Sequence, residues 1–568
     1  MQGKIKKITR VQQAHAEVGV TSIRRRSAVC FVAAWLLLIV SVLVIDHVVE
    51  WRTQDPGSSI SSLHSFAVIS ELPEIIQGLR AQGLSSTAWI AANRRLLKDI
   101  RQTEDAIEEQ GAVAAWLRPW SQAGLLVAGA GNEKVYPGRD SWLFYRPDVD
   151  SVTGPGFLTR QQQDKRVRTA VEWEDPPWPD PVRALLDFRD RLSERGIKLL
   201  VVPTPVKPEL AGAMLSSRLT GKGLVQNPSY QLFVDRLGAA GLWVADVAGW
   251  LEEYQQQTKT AAYLSTDTHW TPAAMRWVCR KLSAELNGRV SWSRSDYVLS
   301  STESRSIANQ GDIAAMLDLP EAWKPYQQQT VTIERVVGSD GSMWKADMNA
   351  ELLVLGDSFS NIYSLDAMGW GDSAGFVEQL SHALQQPVDR IVRNDQGASA
   401  TRRLLSRELA RGRDRLAGKK VVLYQFANRE LAFGDWRIFP LELKAAEPST
   451  FLALAAGERL RVRGLIREIS FVPRPGSVPY RDHVVSVHLV DITSKDDSES
   501  FSQAVVFLRS MVNNTWTRAA RLRPGDEVEL VLRSWDDMAG KMDGLNRSEL
   551  EDLDLQLQQP VWGELEEK

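Results

Sequence analysis

Two short blocks of this sequence hold the residue types that acyl chemistry needs. The first is Leu352-Leu353-Val354-Leu355-Gly356-Asp357-Ser358-Phe359-Ser360, an apolar run that breaks off in Gly-Asp-Ser. It reads as a strand, a tight turn and a helix start, with the helix continuing over Asn361 to Met368. A serine at such a turn stands clear of the sheet, and the helix amides point at whatever its hydroxyl attacks. A serine hydroxyl is a poor nucleophile until a base takes its proton. The second block, Ser265-Thr266-Asp267-Thr268-His269-Trp270-Thr271-Pro272, supplies that base. Asp267 and His269 are two apart on an extended segment, so their side chains share a face. Thr271 caps and Pro272 opens the helix that follows. The carboxylate can then fix the imidazole tautomer while the other ring nitrogen faces the serine. Either block alone has a plain structural explanation, a capped strand-to-helix turn or a hydrogen-bonded core histidine. Together they point to a Ser-His-Asp relay.

The elements that must position them alternate. Asp180 caps and Pro181 opens a helix that Gly196 stops, followed by a buried-type strand from Lys198 to Val202. A helix around Tyr230 to Ala239 leads to a strand from Leu242 to Val247, and the Asp267/His269 block opens a helix reaching about Leu286. Beyond Ser358 come a strand at Asp389 to Arg393, a helix near Ser399 to Arg411 and a strand at Lys420 to Gln425. This rhythm predicts an α/β fold, a mainly parallel sheet with helices on both faces, whose site lies at the carboxyl ends of its strands. Val135 to Tyr145 reads as a hairpin turning at Pro137-Gly138-Arg139-Asp140. Gly154 to Pro179 reads as loop, and Trp292 to Thr332 as irregular.

At 568 residues the chain has room for two or three domains. A net charge of -3 gives no global pull toward nucleic acid, and none is expected as a partner. The two cysteines, Cys30 and Cys279, form no disulfide framework, and the seven histidines are scattered, so neither a metal site nor a cofactor is expected. Residues 1–26 form a basic tail, with seven Lys/Arg against Glu17. Residues 27–45 are apolar and uncharged, long enough to span a bilayer as an uncleaved anchor, and the flanking charges leave the amino terminus cytoplasmic. A cleaved signal peptide and a buried core helix are the alternatives. Residues 46–130 read as a helical juxtamembrane segment, most amphipathic around Trp89, Ile90, Leu96, Leu97 and Ile100. After a catalytic domain at 131–440, residues 441–548 turn β-rich, a small barrel of the OB type or a sandwich. The β-rich domain is either a glycan binder, using Trp516, Trp535 or Phe501, or a structural module. Residues 549–568 read as an acidic tail.

The Gly-Asp-Ser-Phe-Ser block resembles the nucleophile block of SGNH/GDSL hydrolases. The Asp-Thr-His-Trp block placed before it resembles the permuted branch typified by the alginate O-acetyltransferases. Gly138 to Tyr145, Val201 to Pro208 and Gly311-Asp312-Ile313 also resemble that branch, so the likeness covers about residues 130–435. It implies an SGNH-like fold with Ser358 as nucleophile, His269 as base and Asp267 as its orienter. Val422 to Asn428 resembles the strand-end block whose asparagine donates to the oxyanion, which gives that role to Asn428 beside the Ser358 amide. Asn394-Asp395-Gln396-Gly397 lies where the family's glycine block belongs, making Gly397 a third donor. Arg429 is a candidate for holding a carboxylated sugar, with an internal salt bridge as the alternative.

The resemblance further implies transfer of acetyl groups to hydroxyls of an exported polysaccharide in the periplasm. A membrane-bound O-acyltransferase partner would pass acetyl across the inner membrane. Two other functions fit parts of the same evidence. A carbohydrate acetylesterase would use the same triad with water as acceptor. A non-catalytic scaffold of a secretion complex would have no need of all three residues.

Overall fold

The computed structural model describes residues 24–53, scattered positions between 72 and 104, and 112–565, apart from 170–175, 294–300, 339–340, 395–396, 445–450, 495–499 and nine single positions. Most of the basic tail and much of the juxtamembrane segment therefore lie outside the described residues, as do Asp395 and Gln396. The chain divides into two compact units, Met1–Leu117 and Arg118–Lys568. In the first, a helix runs from Arg25 to Thr53, and its stretch Arg25–Val42 is long and apolar enough to cross a membrane. Ala112–Val127 is also helical.

In the second unit, which begins within that helix, the first strands form a hairpin of β1 (Val135–Pro137) and β2 (Leu143–Tyr145), turned at Gly138 as expected. Five strands then build an all-parallel sheet: β3 (Lys198–Thr204), β4 (Trp243–Val244), β7 (Leu352–Gly356), β8 (Asp389–Val392) and β9 (Val421–Ala427). Their order is β4-β3-β9-β7-β8. β7 and β9 are buried along their whole length, as a sheet covered on both faces requires. Successive side chains alternate between two apolar layers. Leu200, Val202, Leu352, Val354 and Leu423 join one layer with the helix Pro272–Arg289. Leu199, Val201, Leu353, Leu355 and Tyr424 join the other with the helices Pro181–Ser193 and Tyr230–Ala239.

Between β4 and β7 the chain forms a second hairpin, β5 (Ser301–Asn309) and β6 (Gln329–Val337). Most of β5 is exposed and polar, so no apolar alternation marked it within the stretch read as irregular. The supposed loop at 154–179 likewise holds a helix, Arg160–Arg168, that buries no residue and so carries no apolar stripe.

Beyond residue 450 lie β10 (Arg459–Ile469), β11 (His483–Ser494), β12 (Ser500–Val512), β13 (Thr515–Trp516), β14 (Glu527–Ser534), β15 (Asn546–Ser548) and β16 (Pro560–Leu565). β10, β11, β12, β16 and β14 pair in that order and β14 returns to β10, closing a five-stranded barrel. Five strands in this order make the OB-type barrel that was one of the two expectations. Residues 549–568 are not the expected acidic tail: they supply β16, which lies parallel to β12 and antiparallel to β14 and so shuts the barrel.

The excursion between β14 and β16 folds back over β11 and β12. Trp535, Leu550 and Leu555 pack there against Val484, Val505 and Phe507. Trp535, offered as a sugar contact, is only 8% exposed and belongs to this layer. The Trp516 indole donates to Pro473 O, and the side chain of Phe501 lies outside the described residues. The same excursion seats on the catalytic domain. Arg407 Nη1 donates to Gln556 O at 2.9 Å and pairs with Glu549 at 3.6 Å, while Arg403 reaches the Gln556 side chain at 3.1 Å. Replacing Arg407 by alanine removes a hydrogen bond from a buried charged group, a loss of about 2 kcal/mol. Calorimetry of Arg407→Ala should show the barrel melting in a separate, earlier transition; an unchanged single transition would refute a stabilising seam.

Candidate active site

The strand β7 ends where its backbone is most crowded. A Cβ on Gly356 would meet the Ser360 side chain and Gln425 Oε1, so only glycine fits. Asp357 then caps a single helical turn, Ser358–Asn361, accepting from Phe359 N at 2.9 Å. The expected longer helix over Asn361–Met368 is absent. A 3-10 turn at Asp366–Met368 follows instead, ending at Gly369 with φ +79°. The turn is tied to β9 by Gln425, whose Oε1 accepts from Asp357 N (3.0 Å) and Ser360 Oγ (2.7 Å) and whose Nε2 donates to Asp357 Oδ1 (2.8 Å). Asp357 Oδ2 accepts from Ala427 N at 2.7 Å. The serine turn is thus clamped to the neighbouring strand on both sides.

The block at 265–272 arrives from the other direction. As expected, Thr271 caps the helix Pro272–Arg289, accepting from Ala274 N at 3.3 Å. Trp270 Nε1 donates to Phe359 O at 3.1 Å and Tyr363 Oη donates to Trp270 O at 2.6 Å, joining the two blocks directly. Held this way, His269 Nε2 lies 2.9 Å from Ser358 Oγ, and His269 Nδ1 lies 2.7 Å from Asp267 Oδ1. All three residues are buried. The structure thus brings together the three residues the sequence singled out, in the order a relay needs.

Asp267 takes two further hydrogen bonds on Oδ2, from Trp370 Nε1 (2.8 Å) and Asp312 N (3.0 Å). Burial works against its charge, but the bond and charge of His269, the indole and the amide hold its carboxyl well below the usual range. For His269, burial opposes protonation, yet the hydrogen bond to Asp267 and the charges of Asp267 and Asp312 leave its pKa raised.

Asp312 lay within a motif the sequence displayed, but no role could be read for it. Its carboxylate accepts from Thr268 N and Thr268 Oγ1, both at 2.7 Å, and stands 3.8 Å from His269 Nδ1. Burial, reinforced by Asp267, pushes it up to about 6. Gly311 makes the approach possible. Its φ is +91°, and a Cβ there would strike Thr266 O. Asp267, His269 and Asp312 offer potential ligand atoms within 4.8 Å of one another, as a metal site would. Their lone pairs, however, already serve backbone, indole, hydroxyl and ring donors. Lys207, fully buried, donates to Leu143 O (2.6 Å) and Ser265 O (3.2 Å), fixing the β2 hairpin to the start of the dyad block. Burial lowers its pKa to about 8 against the pull of Asp312, Asp267 and Asp148.

The remaining candidates sit at neighbouring strand ends. Asn428 follows β9 with its Nδ2 3.0 Å from Glu209 Oε1 and 3.2 Å from Oε2. Gly397, at φ +59°, is packed against Glu430, whose carboxylate accepts from Ala398 N at 2.9 Å. Arg429 donates to Asp148 at 3.0 Å with its side chain 17% exposed, which is the internal salt bridge.

The two acids beside His269 should separate by mutation. Asp267→Asn loses the tautomer-fixing acceptor and should cost about 10⁴-fold in turnover. Asp312→Asn removes one charge that raises the His269 pKa. The ring then becomes a free base at lower pH, and the acid limb of the pH-rate profile should move down. An unmoved limb would mean that Asp312 only braces the backbone.

Residues 135–427 match the family model described as SGNH hydrolase-like domain, acetyltransferase AlgX. The probable alginate O-acetylase AlgJ of Pseudomonas syringae pv. tomato is 21% identical over 285 residues, covering 49% of this chain and 65% of that protein. The match therefore leaves about a third of that relative unmatched. Among solved structures, the O-acetyltransferase domain of Pseudomonas putida AlgJ is 19% identical, with 53% of this chain and 93% of that one covered at a TM-score of 0.40. Pseudomonas aeruginosa AlgX is 13% identical, with 70% and 90% covered at 0.39. The family model spans just over half of the 568 residues and takes in both Asp267/His269 and Ser358, so this chain belongs to the AlgX-type SGNH hydrolase-like acetyltransferase family.

Proposed function

We propose that this protein is a membrane-anchored O-acetyltransferase that moves acetyl groups onto hydroxyls of an exported polysaccharide in the periplasm. The observation that carries the reading is the buried, hydrogen-bonded run from Ser358 through His269 to Asp267 at the carboxyl edge of the sheet. The AlgJ relatives are named as alginate O-acetylases, which supports a uronic-acid polymer as acceptor.

In the first half-reaction His269 Nε2 takes the Ser358 proton as Oγ attacks the donor's acetyl carbonyl. Asn428 and the Ser358 amide stabilise the oxyanion, with Gly397 as the further donor. The C–O or C–S bond to the donor breaks, and the leaving group departs with the proton from His269. In the second, His269 deprotonates a sugar hydroxyl, which attacks the acetyl-serine and releases Ser358. Acetyl would come from a membrane-bound O-acyltransferase, and the helix Arg25–Thr53 would hold the chain at the inner membrane beside that partner.

The test is acetyl transfer by the full chain in detergent, with a chromogenic acetyl ester as donor and an oligosaccharide panel as acceptor. Wild type should acetylate sugar, and Ser358→Ala should lose at least a thousandfold of that turnover, on the scale of losing a triad nucleophile. Ser358-dependent release of free acetate alone would make it an esterase. Turnover indifferent to Ser358 would leave the scaffold.

A further inference from the structure

Two buried polar groups next to the nucleophile turn are poorly served as they stand. Glu209, only 3% exposed, has Val206 N (2.8 Å to Oε1), Gln226 and Asn428 as its hydrogen-bond partners, none of them charged. The Asn428 Oδ1 atom, in a residue 7% exposed, has no hydrogen-bond partner among the described residues. A buried carboxylate without a cation and a buried carbonyl without a donor are each costly. One proton and one half-turn of the amide relieve both. A neutral carboxyl can donate, and an amide's oxygen and nitrogen exchange places when it turns.

We propose that Glu209 stands protonated and donates to Asn428 Oδ1, so that the freed Asn428 amide nitrogen faces the reacting acyl group. Glu209 is then a positioning residue for the oxyanion site. This deepens the proposed function and rests on its assignment of Asn428. The placement favours it. Ala427, the residue before Asn428, bonds Asp357 Oδ2, the side chain adjacent to Ser358, and Asn428 N donates to Thr204 O at 2.8 Å. The amide is thus anchored beside the nucleophile turn.

The surroundings keep Glu209 neutral. Burial, with Asp148 adding to it, pushes its carboxyl up to about 8. Tyr230, which the Asn428 side chain also hydrogen-bonds, and Tyr263 stand near it as phenols that burial itself raises, and Asp246 lies near Tyr230. Asp148 is paired with Arg429. Lys207, on the same short helix, turns its Nζ away to Leu143 O and Ser265 O. As pH rises through about 8, Glu209 loses its proton, the carboxylate draws the amide nitrogen back, and the oxyanion donor is withdrawn.

The experiment uses the full chain in detergent with a chromogenic acetyl ester, measuring kcat and KM from neutral to alkaline pH. Wild type should show an alkaline fall in kcat. Glu209→Leu, which removes the donor, should lose kcat toward the hundredfold typical of one missing oxyanion donor, with KM little changed. Glu209→Gln, whose amide donates at every pH, should recover most of that loss and abolish the alkaline fall. An alkaline limb identical in wild type and Glu209→Gln would overturn the proposal, as would wild-type kcat in a folded Glu209→Leu. Asn428→Ala keeps the two readings apart. Unchanged turnover there would sink the oxyanion assignment, whereas a large loss there with an unmoved limb in Glu209→Gln would sink only the role of Glu209. Infrared difference spectra of wild type minus Glu209→Gln read the proton without turnover. A protonated-carboxyl band at neutral pH that titrates away above about 8 is expected, and a carboxylate band at neutral pH would refute it.

Discussion

The structure of this site depends on one carboxylate. Asp267 accepts from His269 N and Nδ1 on one oxygen and from Trp370 Nε1 and Asp312 N on the other. Those donors come from three separate parts of the chain, so a single side chain fixes the His269 ring, its tautomer and two distant segments at once. Because it is buried, each bond is strong and each missing bond would be costly. The same low dielectric lets Asp312, at 3.8 Å, bear on the imidazole without touching it.

A second carboxylate does the same for Ser358. Asp357 is bound by Phe359 N, Gln425 and Ala427 N, so the serine turn cannot move relative to β9. Since the one-turn helix after Ser358 is too short to contribute much of a dipole, positioning by these bonds carries the weight that a long helix would share. The two carboxylates therefore divide the work. Asp267 holds the His269 ring, and Asp357 holds the turn that carries Ser358 Oγ to within 2.9 Å of that ring, which is the arrangement the proposed proton transfer needs.

What could be read from the sequence was whatever rests on local spacing. Ser358 follows from an apolar run cut by Gly-Asp-Ser, His269 and Asp267 from their two-residue separation, and Thr271-Pro272 from capping chemistry. The mainly parallel sheet followed from strands alternating with helices, as where the helix near Ser399 to Arg411 leads to the strand at Lys420 to Gln425. The supports were hidden because their partners are remote in sequence. Asp312 meets Thr268 across 44 residues, Trp370 meets Asp267 across 103, and Glu209 meets Asn428 across 219. Nothing in a window of ordinary length links such pairs. Elements that bury nothing, such as Arg160–Arg168 and most of β5, were missed for the opposite reason: they leave no apolar stripe to read.

The barrel shows how a remote strand changes a functional reading. Read as a tail, residues 549–568 leave β11 and β12 free to present the face on which OB-type barrels bind oligosaccharides. Once β16 is seen to close the barrel, the chain between β14 and β16 has to return across that face, and it does so with Trp535, Leu550 and Leu555. The face is then occupied by the protein itself. The excursion that fills it also carries Glu549 and Gln556 onto the helix that bears Arg403 and Arg407. Covering the barrel face and bracing the catalytic domain are thus consequences of one connection. The twenty tryptophans need no separate ligand to account for residues such as Trp535 and Trp562, which are core because the chain's last strand folds home.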